Sequence, residues 1–178
     1  MSISLPNLLK RKYFCGNSEA TEMRFYPDSF PQFDYEPTTD RFAIQRIGDS
    51  VGEGIVSLVH FNPGDIVFRF TGFLLNDMTL FTLQYGSSLH IHDPYFMGKT
   101  LHSCDPNLSC DMSKREFTAV REINPGDLLT MDYEQTEDAL FRGFECGCGS
   151  SSCRGLILGR LVPRHSSNGI SVNGLKGA

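Results

Sequence analysis

Short runs of apolar residues separated by turn sequences dominate the chain from residue 41 onward. The runs are four to eight residues long and rich in β-branched and aromatic side chains, which is typical of strands. They lie at Phe42–Ile47, Gly54–Phe61, Ile66–Thr71, Phe117–Ile123 and Leu128–Met131. The pattern therefore predicts a mostly β fold of the β-rich α+β class.

The turn sequence Asn-Pro-Gly-Asp occurs twice, at residues 62–65 and 124–127, and each copy is followed by an apolar run. Proline presets φ for the first central position of a turn, and glycine accepts the positive φ of the next. We therefore predict two similar strand–turn–strand corners. Helices are predicted only at Asn76–Tyr85 and, as a short element, at Glu134–Phe141.

A length of 178 residues with 40% hydrophobic side chains predicts one soluble domain with a single core. Residues 1–40 combine many aromatic residues with prolines, which favours an irregular N-terminal flank packed on that core. Residues 163–178 are rich in serine, asparagine and glycine and are predicted to form a flexible tail.

The formal net charge of −5 argues against direct binding to nucleic acid and favours a basic or amine-bearing partner. The sequence shows neither the order of a signal peptide nor an apolar stretch of membrane-spanning length, so no membrane association is expected. Clustered cysteines in a reducing compartment bind metal more often than they pair. We expect a cytoplasmic protein, with the nucleus as the other location.

Three cysteines, Cys146, Cys148 and Cys153, stand in a tight glycine-containing loop that can turn their sulfur atoms toward one point. A structural zinc ion needs four such ligands, and the alternative is that these cysteines are buried or paired without metal. His90 and His92 alternate with apolar residues, so a polar sheet face explains them as well as a second metal centre does.

Two further motifs suggest chemistry. Tyr133 follows Asp132 at the end of an apolar run, where a hydroxyl emerges between strand and loop. Gly52-Glu53-Gly54 enters a predicted strand but lacks the GxGxxG form, which disfavours a dinucleotide-type fold.

The segment His102-Ser103-Cys104, the sequence LTMDY ending at Tyr133 and the CxCx4C cysteines, in this order, resemble the SET-domain lysine methyltransferases with their post-SET zinc motif. The resemblance covers residues 41–155 and implies a fold of small sheets with a C-terminal pseudoknot. It implies a SET domain at residues 41–143 and a post-SET zinc loop at residues 144–162. It further implies that residues 101–107 lie beside Tyr133.

The resemblance also implies site residues. Tyr133 would be the catalytic residue, and Cys104 would complete the structural zinc site with Cys146, Cys148 and Cys153. The methyl donor S-adenosylmethionine would contact Gly52, Glu53, Gly54, Leu101, His102, Tyr133 and Phe144. Phe70, Met131, Tyr133 and Phe144 would line the channel for the substrate amine.

The sequence departs from the family pattern at two positions. Leu101 replaces the asparagine of the usual NHSC motif, and Phe70 replaces a tyrosine. Three functions stay open. The first is methylation of a lysine side chain in a protein or peptide, the second is methylation of a small amine or free amino acid, and the third is a non-catalytic, zinc-stabilised binding module.

Overall fold

Twelve short strands and two 3-10 helices form the regular structure of residues 23–48 and 51–164, which the computed structural model describes. Residues 1–22 of the predicted flank, 49–50 and 165–178 of the predicted tail lie outside this part of the chain. The strands are β1 (Phe42–Gly48), β2 (Gly52–Ser57), β3 (Ile66–Arg69), β4 (Phe73–Leu75), β5 (Thr82–Gly86), β6 (Leu89–His92), β7 (Leu101–His102), β8 (Leu108–Asp111), β9 (Glu116–Ala119), β10 (Thr130–Met131), β11 (Phe144–Glu145) and β12 (Leu156–Ile157). The 3-10 helices are Met97–Lys99 and Tyr133–Gln135. The predicted mostly β class is confirmed.

The strands form five small sheets. Three are two-stranded, with β1 against β2, β11 against β12, and β7 against β10, and the last pair is parallel. Two are three-stranded antiparallel sheets in the orders β3-β9-β8 and β4-β6-β5. No helix among the described residues is long and apolar enough to cross a membrane.

The two predicted corners are confirmed as copies of one turn. Gly64 and Gly126 have φ values of +91° and +98°, which side-chain-bearing residues rarely adopt. In each copy the aspartate side chain accepts from the asparagine amide, at 2.7 Å for Asp65 and 2.8 Å for Asp127. Phe61 and Ile123 precede the two turns and pair with each other, so the corners lie side by side.

Aromatic rings form the centre of the core. Phe42, Phe68, Phe96 and Phe117 are almost fully buried, and Phe68 lies 4.6 Å from Phe117 and 5.0 Å from Phe96 between ring centroids. Because these rings come from β1, β3, β9 and the segment before β7, they hold the small sheets around one centre.

The predicted helix at Asn76–Tyr85 is wrong, because this segment forms a turn followed by β5. Thr79 and Thr82 exchange side-chain hydrogen bonds with the backbone of the turn, which competes with helix formation. Leu83 then pairs with Ile91 of β6 and is buried with it. Burial of the strand face outweighs the helical tendency of the sequence.

The predicted helix at Glu134–Phe141 is reduced to the 3-10 helix at Tyr133–Gln135. The acidic side chains that follow bind other segments instead of solvent. Glu137 accepts from the Gln84 amide at 2.8 Å, and Asp138 forms an ion pair with Arg160 at 2.6 Å.

The described end of the N-terminal flank is fixed to the core by a buried carboxylate. Asp93 accepts hydrogen bonds from the Tyr26 hydroxyl at 2.6 Å and from the amides of Tyr95, Phe96 and Met97. Burial raises the pKa of Asp93 and these donors oppose that effect. Both carboxylate oxygens of Asp93 therefore already accept hydrogen bonds, and Asp93 is not available as a metal ligand beside His90 and His92.

We predict that Tyr26→Phe lowers the free energy of unfolding by about 1 to 3 kcal/mol, because it removes a donor from a buried carboxylate. Urea denaturation measures the change. Tyr95→Phe is the matched control, since no hydrogen bond of its hydroxyl is found among the described residues. Equal losses in both variants would contradict this role of Tyr26.

Candidate active site and cysteine cluster

Two distant segments of the chain meet at the parallel pair β7–β10, as the resemblance implied. Leu101 pairs with Thr130 and His102 with Met131, and the Ser103 amide continues the ladder to the Met131 carbonyl at 2.9 Å. The Asn107 side chain secures the far end, with its amide donating to the Leu128 carbonyl at 2.9 Å. This pairing places residues 101–107 beside Tyr133.

Tyr133 stands at the centre of the candidate site. Its hydroxyl donates to the carbonyl of Thr100 at 2.8 Å, and its backbone amide donates to Nδ1 of His102 at 3.2 Å. Its ring packs 5.2 Å from that of His102 and 6.1 Å from that of Phe144, measured between centroids. Burial raises the pKa of Tyr133, so the phenol is neutral at physiological pH.

The hydrogen bonds of His102 fix its tautomer. Because Nδ1 accepts from the Tyr133 amide, the ring proton of the neutral imidazole lies on Nε2, which is 3.4 Å from Sγ of Cys104. Burial lowers the pKa of His102, which favours this neutral form. One imidazole therefore links the tyrosine to the first cysteine of the predicted metal site.

The four predicted zinc ligands come together. The Sγ atoms of Cys104, Cys146, Cys148 and Cys153 all lie within 4.8 Å of one another, and those of Cys104 and Cys146 are 3.9 Å apart. A tetrahedral zinc ion with Zn–S bonds of about 2.3 Å separates its sulfur atoms by about 3.8 Å. Backbone hydrogen bonds from Cys104 and Ser150 lower the pKa of Cys148 to about 6, whereas burial raises the pKa of Cys104 and of Cys146, so zinc binding would displace the protons of these two thiols. The cluster fits a closed structural zinc site.

Arg154, which follows the last cysteine, fastens the cysteine loop to the tyrosine. Its guanidinium binds both carboxylate oxygens of Asp132, with one contact of 2.8 Å, and its Nε lies 3.2 Å from Glu134. Its backbone amide points to Sγ of Cys104 at 3.3 Å. Although burial opposes it, the hydrogen bonds from Arg154 lower the pKa of Asp132, so the pair is ionised. Both residues that flank Tyr133 are thus held by the zinc loop.

The glycine motif lies beside the segment that leads into β7. A Cβ atom on Gly54 would come within 2.9 Å of Ile47, Leu101 and Leu128, so Leu101 occupies the space that this glycine leaves. Glu53 forms a 2.6 Å ion pair with Lys99, two residues before Leu101. Gly52 has φ of +84° and no atom within 4 Å of an added Cβ, so its backbone is open.

The predicted channel residues divide into two groups. Phe144 faces His102 at 5.6 Å between centroids and belongs to the aromatic group around Tyr133. Phe70 and Met131 are 2% and 1% exposed and lie in the main core, against which Tyr133 packs. Their role as channel walls stays a prediction.

Sequence reasoning missed Thr100, Asp132, Glu134 and Arg154 as parts of this site. Of these four, Arg154 could have been noticed from the sequence. It is a cation directly after the last cysteine, and the two residues that flank Tyr133 are acidic and could pair with it. Their meeting depends on the fold, because Asp132 and Arg154 are 22 residues apart.

We predict that the purified protein holds about one zinc ion and that Cys146→Ala lowers zinc content and melting temperature together. Cys110→Ala is the control, because Cys110 is a partly buried cysteine outside the cluster and its Sγ contacts Met112. Elemental mass spectrometry and thermal unfolding measure both effects. Full zinc content in Cys146→Ala would contradict the assignment.

Comparison with known proteins supports the fold. A curated protein of Aspergillus flavus named methyltransferase flvH is 39% identical over 83 residues, which make up 46% of this chain and 47% of that protein. The chain therefore matches about half the length of this relative. No protein-family model matches the sequence.

Two solved structures of KRYPTONITE resemble the chain in three dimensions. One, a complex with mCHG DNA and SAH, has a TM-score of 0.53 and 22% identity over 65% of this chain and 28% of its own. The other, with mCHH DNA, H3(1-15) peptide and SAH, has a TM-score of 0.52 and 21% identity over 65% of this chain and 29% of its own. The chain therefore has the SET-domain fold that its motifs predicted, together with a cysteine cluster that fits a zinc loop.

Proposed function

We propose that this protein is an S-adenosylmethionine-dependent N-methyltransferase that acts on a lysine side chain of a protein or peptide. The observation that carries the proposal is the position of Tyr133, whose hydroxyl is held by the Thr100 carbonyl between His102 and Phe144. Support also comes from the curated relative, which is named a methyltransferase, and from the KRYPTONITE complexes, which contain SAH.

Tyr133 acts as a hydrogen-bond acceptor in this proposal. Its proton is committed to the Thr100 carbonyl, so the lone pairs of its oxygen are free to accept from the N–H groups of an amine. Because burial raises the pKa of the phenol, it does not serve as the base that removes the substrate's proton. The amine reaches the site neutral, at a cost of about 4 to 5 kcal/mol at pH 7.

The methyl donor S-adenosylmethionine, when bound, supplies an electrophilic methyl group on a sulfonium. The residues proposed to hold it offer suitable surfaces. The partly exposed Phe144 presents an aromatic ring for a purine, with the buried His102 ring packed against it, and the backbone at Gly52 is open to a close ligand. Glu53 is half exposed and able to accept from an ammonium group. Because Leu101 is apolar, its contact with the methyl donor would consist of packing and not of hydrogen bonds.

An open cleft beside Tyr133 supports a peptide substrate. The cleft has a volume of about 670 Å³ and lies between the edge strands β5 and β8. Gln135 and Thr136, two and three residues after Tyr133, are among the residues that line it. Exposed strand edges accept extended peptides through backbone hydrogen bonds, and because Glu137 already binds the Gln84 amide of β5, the other edge groups would serve here. One KRYPTONITE structure contains an H3(1-15) peptide, which is consistent with a lysine-bearing ligand on this fold.

A small amine or free amino acid is the second candidate substrate. The curated relative from Aspergillus flavus is named a methyltransferase without a stated substrate, which leaves this class open. Incubation with labelled donor, a peptide library and a metabolite extract, followed by mass spectrometry, separates the two classes. Label found only in small molecules would replace the lysine proposal.

A non-catalytic binding module is the third candidate, and Leu101 is the residue that raises it. Calorimetry with S-adenosylmethionine tests this possibility directly. Absence of donor binding to zinc-loaded protein would overturn the methyltransferase proposal in both of its forms.

We predict that Tyr133→Phe lowers kcat by about 100-fold or more, because the amine loses an oriented partner in the transition state. Zinc content should not change, since the variant keeps the backbone amide that binds His102. Tyr35→Phe, whose ring is exposed, lies against Arg69 and is outside the cleft, is the control and should retain full activity. An unchanged kcat in Tyr133→Phe would contradict the catalytic role proposed for Tyr133.

The pH dependence follows from the same geometry. We predict that kcat/KM rises with pH up to about pH 10, as the substrate amine loses its proton. No falling limb should begin near the ordinary tyrosine pKa, because burial raises the pKa of Tyr133 and keeps its phenol protonated. A rate that declines from about pH 9 in a folded enzyme would contradict this account.

A further inference from the structure

Thr100 carries a buried hydroxyl without a hydrogen-bond partner among the described residues. The residue is 3% exposed, and its backbone groups are both satisfied. Its amide donates to the Met97 carbonyl at 2.9 Å, and its carbonyl accepts from the Tyr133 hydroxyl at 2.8 Å. The side-chain oxygen is therefore the one polar atom of Thr100 that the fold leaves unused.

An unpaired buried hydroxyl destabilises a protein, and valine has the same shape without that cost. The cost disappears when a ligand supplies the missing partner. The unpaired hydroxyl thus indicates that a ligand brings a polar group to this position and forms the missing hydrogen bond.

The extended backbone of Thr100, directly before β7, indicates on which side of this strand the hydroxyl lies. Side chains alternate along an extended segment, and Thr100 has the extended values φ −67° and ψ 120°. The Leu101 side chain reaches Gly54 on β2. Thr100 and His102 consequently face the opposite side, where the His102 ring packs against Tyr133 and Phe144.

We propose that the Thr100 hydroxyl is the second acceptor for the reacting amine, beside the oxygen of Tyr133. This inference rests on the proposed methyltransferase function. A neutral primary amine has two N–H groups and one lone pair, so two fixed acceptors orient the lone pair. That lone pair forms the new N–C bond while the electrons of the C–S bond leave with sulfur, and the resulting ammonium releases a proton to solvent.

The proposal predicts opposite changes in stability and activity. Thr100→Val should raise the melting temperature, because it removes an unpaired buried hydroxyl, and should lower kcat about tenfold. Thr100→Ser keeps the hydroxyl and should retain kcat close to that of the unaltered protein. A purely structural threonine would lose stability and activity together in Thr100→Val.

The experiment measures methyl transfer from labelled S-adenosylmethionine to the substrate class found for the unaltered protein, together with thermal unfolding of both variants. An unchanged kcat or a lower melting temperature in Thr100→Val overturns the inference while the proposed function stands. Loss of activity in Thr100→Ser equal to that in Thr100→Val also overturns it. An unaltered protein that transfers no methyl overturns the proposed function and this inference with it.

Discussion

The parallel pairing of β7 with β10 is the constraint on which the candidate site depends. It is only two residue pairs long, yet it brings Thr100 and His102 into contact with Tyr133, and His102 in turn contacts Cys104. So short a ladder is not stable by itself. It is held by the Asn107 side chain at one end, by the ion pair between Arg154 and Asp132 at the other, and by the sulfur cluster beyond. The cysteine cluster thus stabilises the arrangement of the two segments that form the site.

Leu101 stands where the family pattern has asparagine, and it makes the contact between β7 and β2 apolar. Its side chain fills the space above Gly54, together with Ile47 and Leu128. The interface between β2 and β7 is therefore a packed hydrophobic contact, with the ion pair of Glu53 and Lys99 at its edge. Hydrophobic packing fixes position without specifying a hydrogen-bonding partner. Under the proposed function, recognition of the methyl donor at this place would therefore rely on backbone groups and on Glu53 and Phe144.

The sequence was sufficient for features that depend on local chemistry. Proline and glycine at fixed offsets predicted the corners at residues 62–65 and 124–127, and the cysteine spacing predicted three of the metal ligands. The fourth ligand and the meeting of residues 101–107 with Tyr133 came from the family resemblance. The helix predicted at residues 76–85 was wrong because the burial of Leu83 against Ile91, which depends on a distant strand, stabilises a strand there. Thr100 and Arg154 were missed because their importance lies in partners distant in sequence.

The separation of the site residues along the chain has a consequence for folding. Cys104 lies 42 residues before Cys146 and 50 before Arg154, and the contacts among them close loops of that size. Loop closure costs entropy that is recovered only when the final contacts form. The local turns and hairpins can form early, whereas the cysteine cluster and the contacts of Phe144 and Arg154 with the site form only after residues 144–157 have docked. A polypeptide still emerging from the ribosome therefore carries a nearly finished core but no assembled site until its last strands are available.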